Sequence, residues 1–139
     1  MGLFEECKYL LRADFSLVEH CDLDAVIGLL HEFPFENGNI LWGGVEYVDY
    51  KNIDELLRFN VFEDGGVFVL ADDLDVPVFK TNINLIADNI YDVLALSPKL
   101  FIFNADVVMQ SLFPGEAIRL SKTKKGADSE ESPQNIHED

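Results

Sequence analysis

The sequence predicts an α+β fold, with N-terminal helices followed by a mostly antiparallel sheet and a helix packed on it. Three observations carry that expectation. Phe4, Cys7, Leu11 and Phe15 recur at three- and four-residue steps, the spacing of one helical face. Beyond them come short apolar runs, Ile40-Leu41-Trp42, Val67-Phe68-Val69-Leu70 and Leu100-Phe101-Ile102-Phe103, separated by turn residues. No rhythm of strands alternating with long helical crossovers emerges, so the strands are expected to pair antiparallel.

Each element has its own warrant. Asp22 or Asp24 can cap a second helix that buries Leu23, Val26, Ile27 and Leu30, and Pro34 ends it. Asn37-Gly38 is a hairpin-turn pair. Residues 40–50 read as strand, in one piece or two, with Gly43-Gly44 as a turn or bulge. Asn52 with Glu55 three residues later has the spacing of a capping box and opens a short helix over 53–59. The uniformly apolar Val67-Phe68-Val69-Leu70 belongs in the middle of a sheet. After the Asp72-Asp73-Leu74-Asp75 turn, residues 76–80 return antiparallel, and Pro77 pushes them toward an edge or bulge because it lacks an amide hydrogen. Thr81 or Asn82 caps a helix with Ile83, Ile86, Ala87, Ile90 and Leu94 on one side, ending near Ser97-Pro98. Residues 100–103 form a buried strand; after Asn104-Ala105-Asp106, a hairpin turn or a helix cap, residues 107–113 read as a strand in preference to a short helix, and 117–120 as a last short strand after Pro114-Gly115.

The chain of 139 residues is the size of one domain, and 48% hydrophobic residues suffice for a core. A single acidic globular domain is expected over 1–120, with a disordered polar tail over 121–139. The formal net charge is −16. Residues 1–118 hold 21 acids against 6 bases, a net of −15, so the charge belongs to the expected folded part. Such a surface disfavours direct contact with nucleic acid or anionic lipid and favours a basic protein partner.

No pattern of catalytic residues stands out. His20-Cys21-Asp22 holds nucleophile-type side chains, but neighbours in sequence seldom converge. His20, Cys21 and His31 lack paired zinc-ligand spacing. Asp72, Asp73 and Asp75 do not open a calcium loop, whose sixth and twelfth positions would fall on Pro77 and Ile83. Gly43-Gly44 and Gly65-Gly66 are not followed by the Gly-Lys-Ser or Gly-Lys-Thr of a phosphate loop. The expected protein is therefore not an enzyme, and needs no cofactor or metal. Cys7 and Cys21 read as two buried thiols of a reducing compartment. The start Met1-Gly2-Leu3-Phe4-Glu5-Glu6 fits neither a secretory signal nor, with Glu6, a myristoylation motif. No apolar run reaches membrane-span length, and a cytoplasmic location is expected.

Trp42, Tyr47 and Tyr50 sit among Glu46 and Asp49. Rigid aromatics flanked by acids suit an interface with an Arg- or Lys-rich partner. The candidate partner-binding residues are Glu46, Asp49, Tyr50, Asp72, Asp73, Asp75, Asp88 and Asp92. A small acidic domain without catalytic residues resembles a bacterial toxin-immunity protein. The stretch Asp92-Val93-Leu94-Ala95-Leu96-Ser97-Pro98-Lys99-Leu100-Phe101-Ile102-Phe103-Asn104 is similar to immunity proteins of contact-dependent growth inhibition systems. The resemblance implies a protein that sequesters the C-terminal toxin domain of a surface effector, often a nuclease, whose basic cleft an acidic inhibitor fits. The rival expectation is a non-enzymatic cytosolic adaptor or regulatory peptide-binding domain, with 76–80 offering an edge for an added strand.

Overall fold

The computed structural model describes residues 2–123. The expectation of a disordered tail falls mainly on residues 124–139, outside the described residues. The fold is α+β: N-terminal helical elements precede a seven-stranded antiparallel sheet with further helices packed on it. The strands are β1 (Ser16–Leu17), β4 (Val48–Tyr50), β5 (Gly66–Ala71), β6 (Phe79–Asn82), β7 (Leu100–Phe103), β8 (Val107–Ser111) and β9 (Ile118–Lys122). Their order across the sheet is β1-β6-β5-β7-β8-β9-β4. A separate hairpin pairs β2 (Phe35–Glu36) with β3 (Asn39–Ile40).

Register makes the two faces different. Val48, Leu120, Met109, Ile102, Val69, Phe79 and Leu17 stand opposite one another in turn, an apolar row through all seven strands. One residue along, on the other face, the row reads Asp49, Arg119, Gln110, Phe101 and Leu70, polar at the β4 side and apolar toward the centre. Alternation of side chains along each strand produces this split.

The first face is covered by α1 (Leu3–Leu10), α3 (Ile53–Phe59), α4 (Ile83–Asp88) and α5 (Ile90–Leu94), whose Cys7, Leu56, Ile86 and Val93 are fully buried. Phe4, Cys7, Leu11 and Phe15 all join this core as their spacing predicts, although the helix ends at Leu10 and a 3₁₀ turn over Arg12–Asp14 carries the chain on. The second face carries α2 (His20–Leu30) and the β2–β3 hairpin over Phe101, Phe103 and Val108.

Local chemistry explains most element ends. Asn52 Oδ1 accepts the Glu55 amide at 2.9 Å, and Glu55 Oε1 takes the Lys51 amide at 2.6 Å, one residue before the capping-box position. Asn37 and Gly38 adopt φ of 55° and 77°, the left-handed pair a tight hairpin requires. Gly65 also has φ of 77°, and a Cβ there would lie 2.7 Å from Asn82 Nδ2.

Several expectations are corrected. Helix α2 starts at His20, behind Glu19, rather than at Asp22 or Asp24. Residues 40–50 break into β3, a 3₁₀ turn (Trp42–Gly44) and β4. The helix over 83–94 divides at Asn89, whose Nδ2 donates to the Leu85 carbonyl at 3.0 Å. The last strand starts at Ile118 and runs on to Lys122. Cys21 is exposed, while Cys7 is buried. The return strand is not an edge, because Lys80 and Phe79 pair with Ser16 and Leu17 and the Val18 amide donates to the Val78 carbonyl. Residues 76–80 therefore cannot accept the added strand that the adaptor reading needs.

Candidate partner-binding surface

The eight candidate residues fall into three places. The first is the β4 margin. Asp49 accepts from Arg119 through both oxygens, Nε to Oδ1 at 2.7 Å and Nη2 to Oδ2 at 3.0 Å. That pair raises the guanidinium pKa, chiefly through the hydrogen bonds to Asp49. The Arg119 plane lies 4.0 Å from the Tyr47 ring centre and 5.3 Å from that of Trp42, whose Nε1 donates to Gln110 Oε1 at 2.8 Å. Asp49 thus already holds a cation of its own chain, while its side chain stays 42% exposed. Glu46 is exposed, and its backbone carbonyl accepts from Ser121 Oγ at 2.6 Å. Tyr50 follows Asp49 on the strand and faces the opposite way, stacked on Phe59 with ring centres 6.3 Å apart. Asp49 and Tyr50 therefore stand on opposite faces of the sheet.

The second place is the β5–β6 turn. Asp72 sits 3.5 Å from Lys99 Nζ, Asp73 Oδ1 accepts the Asp75 amide at 2.8 Å, and all three acids are exposed. Four strand spacings separate β5 from β4, roughly 19 Å. The turn and the β4 margin are distinct patches.

The third place is a groove of about 250 Å³ where α3 begins, α4 meets α5, and the β8–β9 turn passes. Asp88 and Asp92 line it together, as do Asp54, Glu116 and Tyr91. No Lys or Arg is among its lining residues. The break at Asn89 turns the chain between Asp88 and Asp92, and both carboxylates still line the same groove. Tyr91 Oη donates to Glu116 Oε2 at 3.0 Å. This bond, then the charge of Glu116 and more weakly that of Asp54, raises the phenol pKa.

Asp54 and Glu116 escaped the sequence reading. Asp54 had a signal, since it lies in the first turn of a helix whose capping pair was visible. Glu116 had only its place after Pro114-Gly115.

In the helical-face core the pKa of the Cys7 thiol is pushed up to about 11, by burial first and by the charge of Asp92 second. His20, Cys21 and Asp22 follow one another in the first turn of α2, with His20 and Cys21 exposed. Among the described residues no group of three or more His, Cys, Asp or Glu is placed to hold a metal ion. Nor, among them, is any helix long and apolar enough to cross a membrane.

No curated protein matches the chain. The model of a protein family described as "CdiI immunity protein EcoliA0-like" does match, over residues 1–121, and with most of its length covered the chain belongs to that family of immunity proteins of contact-dependent growth inhibition systems.

Proposed function

We propose that this immunity protein neutralises the C-terminal toxin domain of its cognate effector by covering a basic cleft, and that the toxin is a nuclease. The observation that carries the reading is the groove in which Asp54, Asp88, Asp92 and Glu116 line one surface without a lining cation. Four carboxylates held in one concavity can receive Lys and Arg side chains as a phosphate backbone does, which is what a nuclease cleft is built to grip. Asp72, Asp73 and Asp75 add a second acidic patch that strengthens long-range attraction. Asp49 contributes little to the contact, because Arg119 already occupies it. The protein acts in the cytoplasm, where an incoming nuclease meets its substrate.

The test is inhibition of nucleic-acid cleavage by the purified toxin domain. Wild-type protein abolishes cleavage at equimolar amounts in about 0.1 M salt, where the Debye length is about 10 Å, and inhibits less well in 1 M salt. Asp88→Lys with Asp92→Lys weakens inhibition by tenfold or more, on the order of 1.4 kcal/mol for each tenfold. Unchanged inhibition by that double variant moves the contact away from the groove. A toxin domain that cleaves no nucleic acid removes the nuclease reading and leaves the immunity role intact.

A further inference from the structure

Resting on that reading, we infer that the toxin is gripped through an extended, Lys- or Arg-bearing segment that adds to the free edge of β4 as an eighth strand. Among the described residues β4 has a ladder partner on one side only, β9. Sheet edges are normally guarded by being very short, by Pro, by an exposed Lys, by a bulge or by an outward charge. β4 is short, at three residues, and the exposed Lys51 follows it, but Val48-Asp49-Tyr50 itself holds no Pro, no Lys and no bulge. Its register with β9 runs without a bulge, and its single charge is held by Arg119 of the neighbouring strand.

Val48, which ends the apolar row through the sheet, remains 51% exposed at that edge. A strand laid beside it would continue the row and cover it. Tyr47, 43% exposed, stands next to it, with the Arg119 guanidinium on its ring.

Charge chooses both the edge and the occupant. Asn52, two residues beyond the end of β4, already lines the acidic groove with Asp54. An added strand therefore lies alongside four carboxylates that attract cationic side chains. The opposite edge, β1, offers no such acidic surplus. Lys80 stands across from Ser16, and the groove there is lined by Lys80 and a single acid, Asp22. A basic segment is drawn to β4 and not to β1.

The experiment is amide hydrogen exchange on the full chain, free and bound to the C-terminal toxin domain of its cognate effector. In the free chain the outward amides of residues 47–50 exchange fast, the Lys51 amide being already bonded to Glu55, and in the complex at least one slows by about tenfold or more while those of Ser16 and Leu17 do not change. Val48→Lys, at an exposed position, weakens binding by about tenfold with an unchanged melting temperature, and Ser16→Lys leaves it unchanged. Binding at full affinity with the 47–50 amides unaltered overturns the added strand and leaves the groove reading standing. Amides already protected in the free chain overturn it as well, since the edge would then be taken. A toxin domain that does not bind at all overturns both readings.

Discussion

The two faces of the sheet are built to different standards. The helical face buries 18 residues in one cluster among the described residues, from Cys7 and Leu11 through Phe79 to Leu120. The α2 face buries 7, and toward β4 its floor turns polar at Gln110, Arg119 and Asp49. One sheet thus supports a core that extends across its strands on one side and a partial cover on the other. Stability should reside mainly on the helical face, while the α2 face can change near its margins at small cost.

That comparison breaks or sharpens under substitution. Phe79 is fully buried and its ring lies 5.0 Å from Phe15 and 6.1 Å from Phe4. Phe79→Ala should cost about 3–5 kcal/mol, read from the urea midpoint. On the other face Phe35 is only half buried, 5.7 Å from Phe101 and 5.2 Å from His31. Phe35→Ala should cost about 1–2 kcal/mol. Equal losses at the two sites would mean that the α2 cover matters as much as the helical core.

Arg119→Ala removes a bidentate pair and two ring contacts at the polar margin. Exposure of the Asp49 side chain, 42%, weakens the ion pair by solvent screening, so the loss should be about 1 kcal/mol and shrink in high salt. A loss as large as that of Phe79→Ala would make this margin part of the core. The smallest effect is chemical. Cys7, buried with its pKa pushed up to about 11, should resist alkylation at neutral pH, where its thiolate is scarce, while exposed Cys21 reacts. Counting thiols with an aromatic disulfide should give one in the native protein and two in denaturant. Two in the native protein would show that the helical face opens.

Short-range chemistry was legible in the sequence, and long-range partnership was not. Asn52 with Glu55, Asn37-Gly38, and the central position of the Val67-Phe68-Val69-Leu70 run depend on neighbours a few residues away or on plain hydrophobicity, and all were read correctly. The status of residues 76–80 was misread because the strand that covers them, Ser16–Leu17, has two residues and no alternation to detect. Asn89 looked like an ordinary polar position of one helix, since a side-chain bond to Leu85 leaves no trace in periodicity. The acids can be counted from the sequence but not grouped in space from it. Asp49 meets its arginine 70 residues away, and Asp88 and Asp92 share a groove with Asp54 and Glu116 only through the packing of α3, the α4–α5 junction and the β8–β9 turn.

The open edge of β4 has a consequence for a protein that waits. An immunity protein stands ready before any toxin arrives, surrounded by copies of itself, and a strand guarded only by its shortness and a following Lys51 leaves room for those copies to stack edge to edge. Here the further guard is not on the strand. Each copy carries 15 net negative charges within residues 1–118, so two copies repel before their edges meet. On the function proposed above, the surplus that would attract the toxin also acts as colloidal protection, and it lapses only for a visitor of opposite sign.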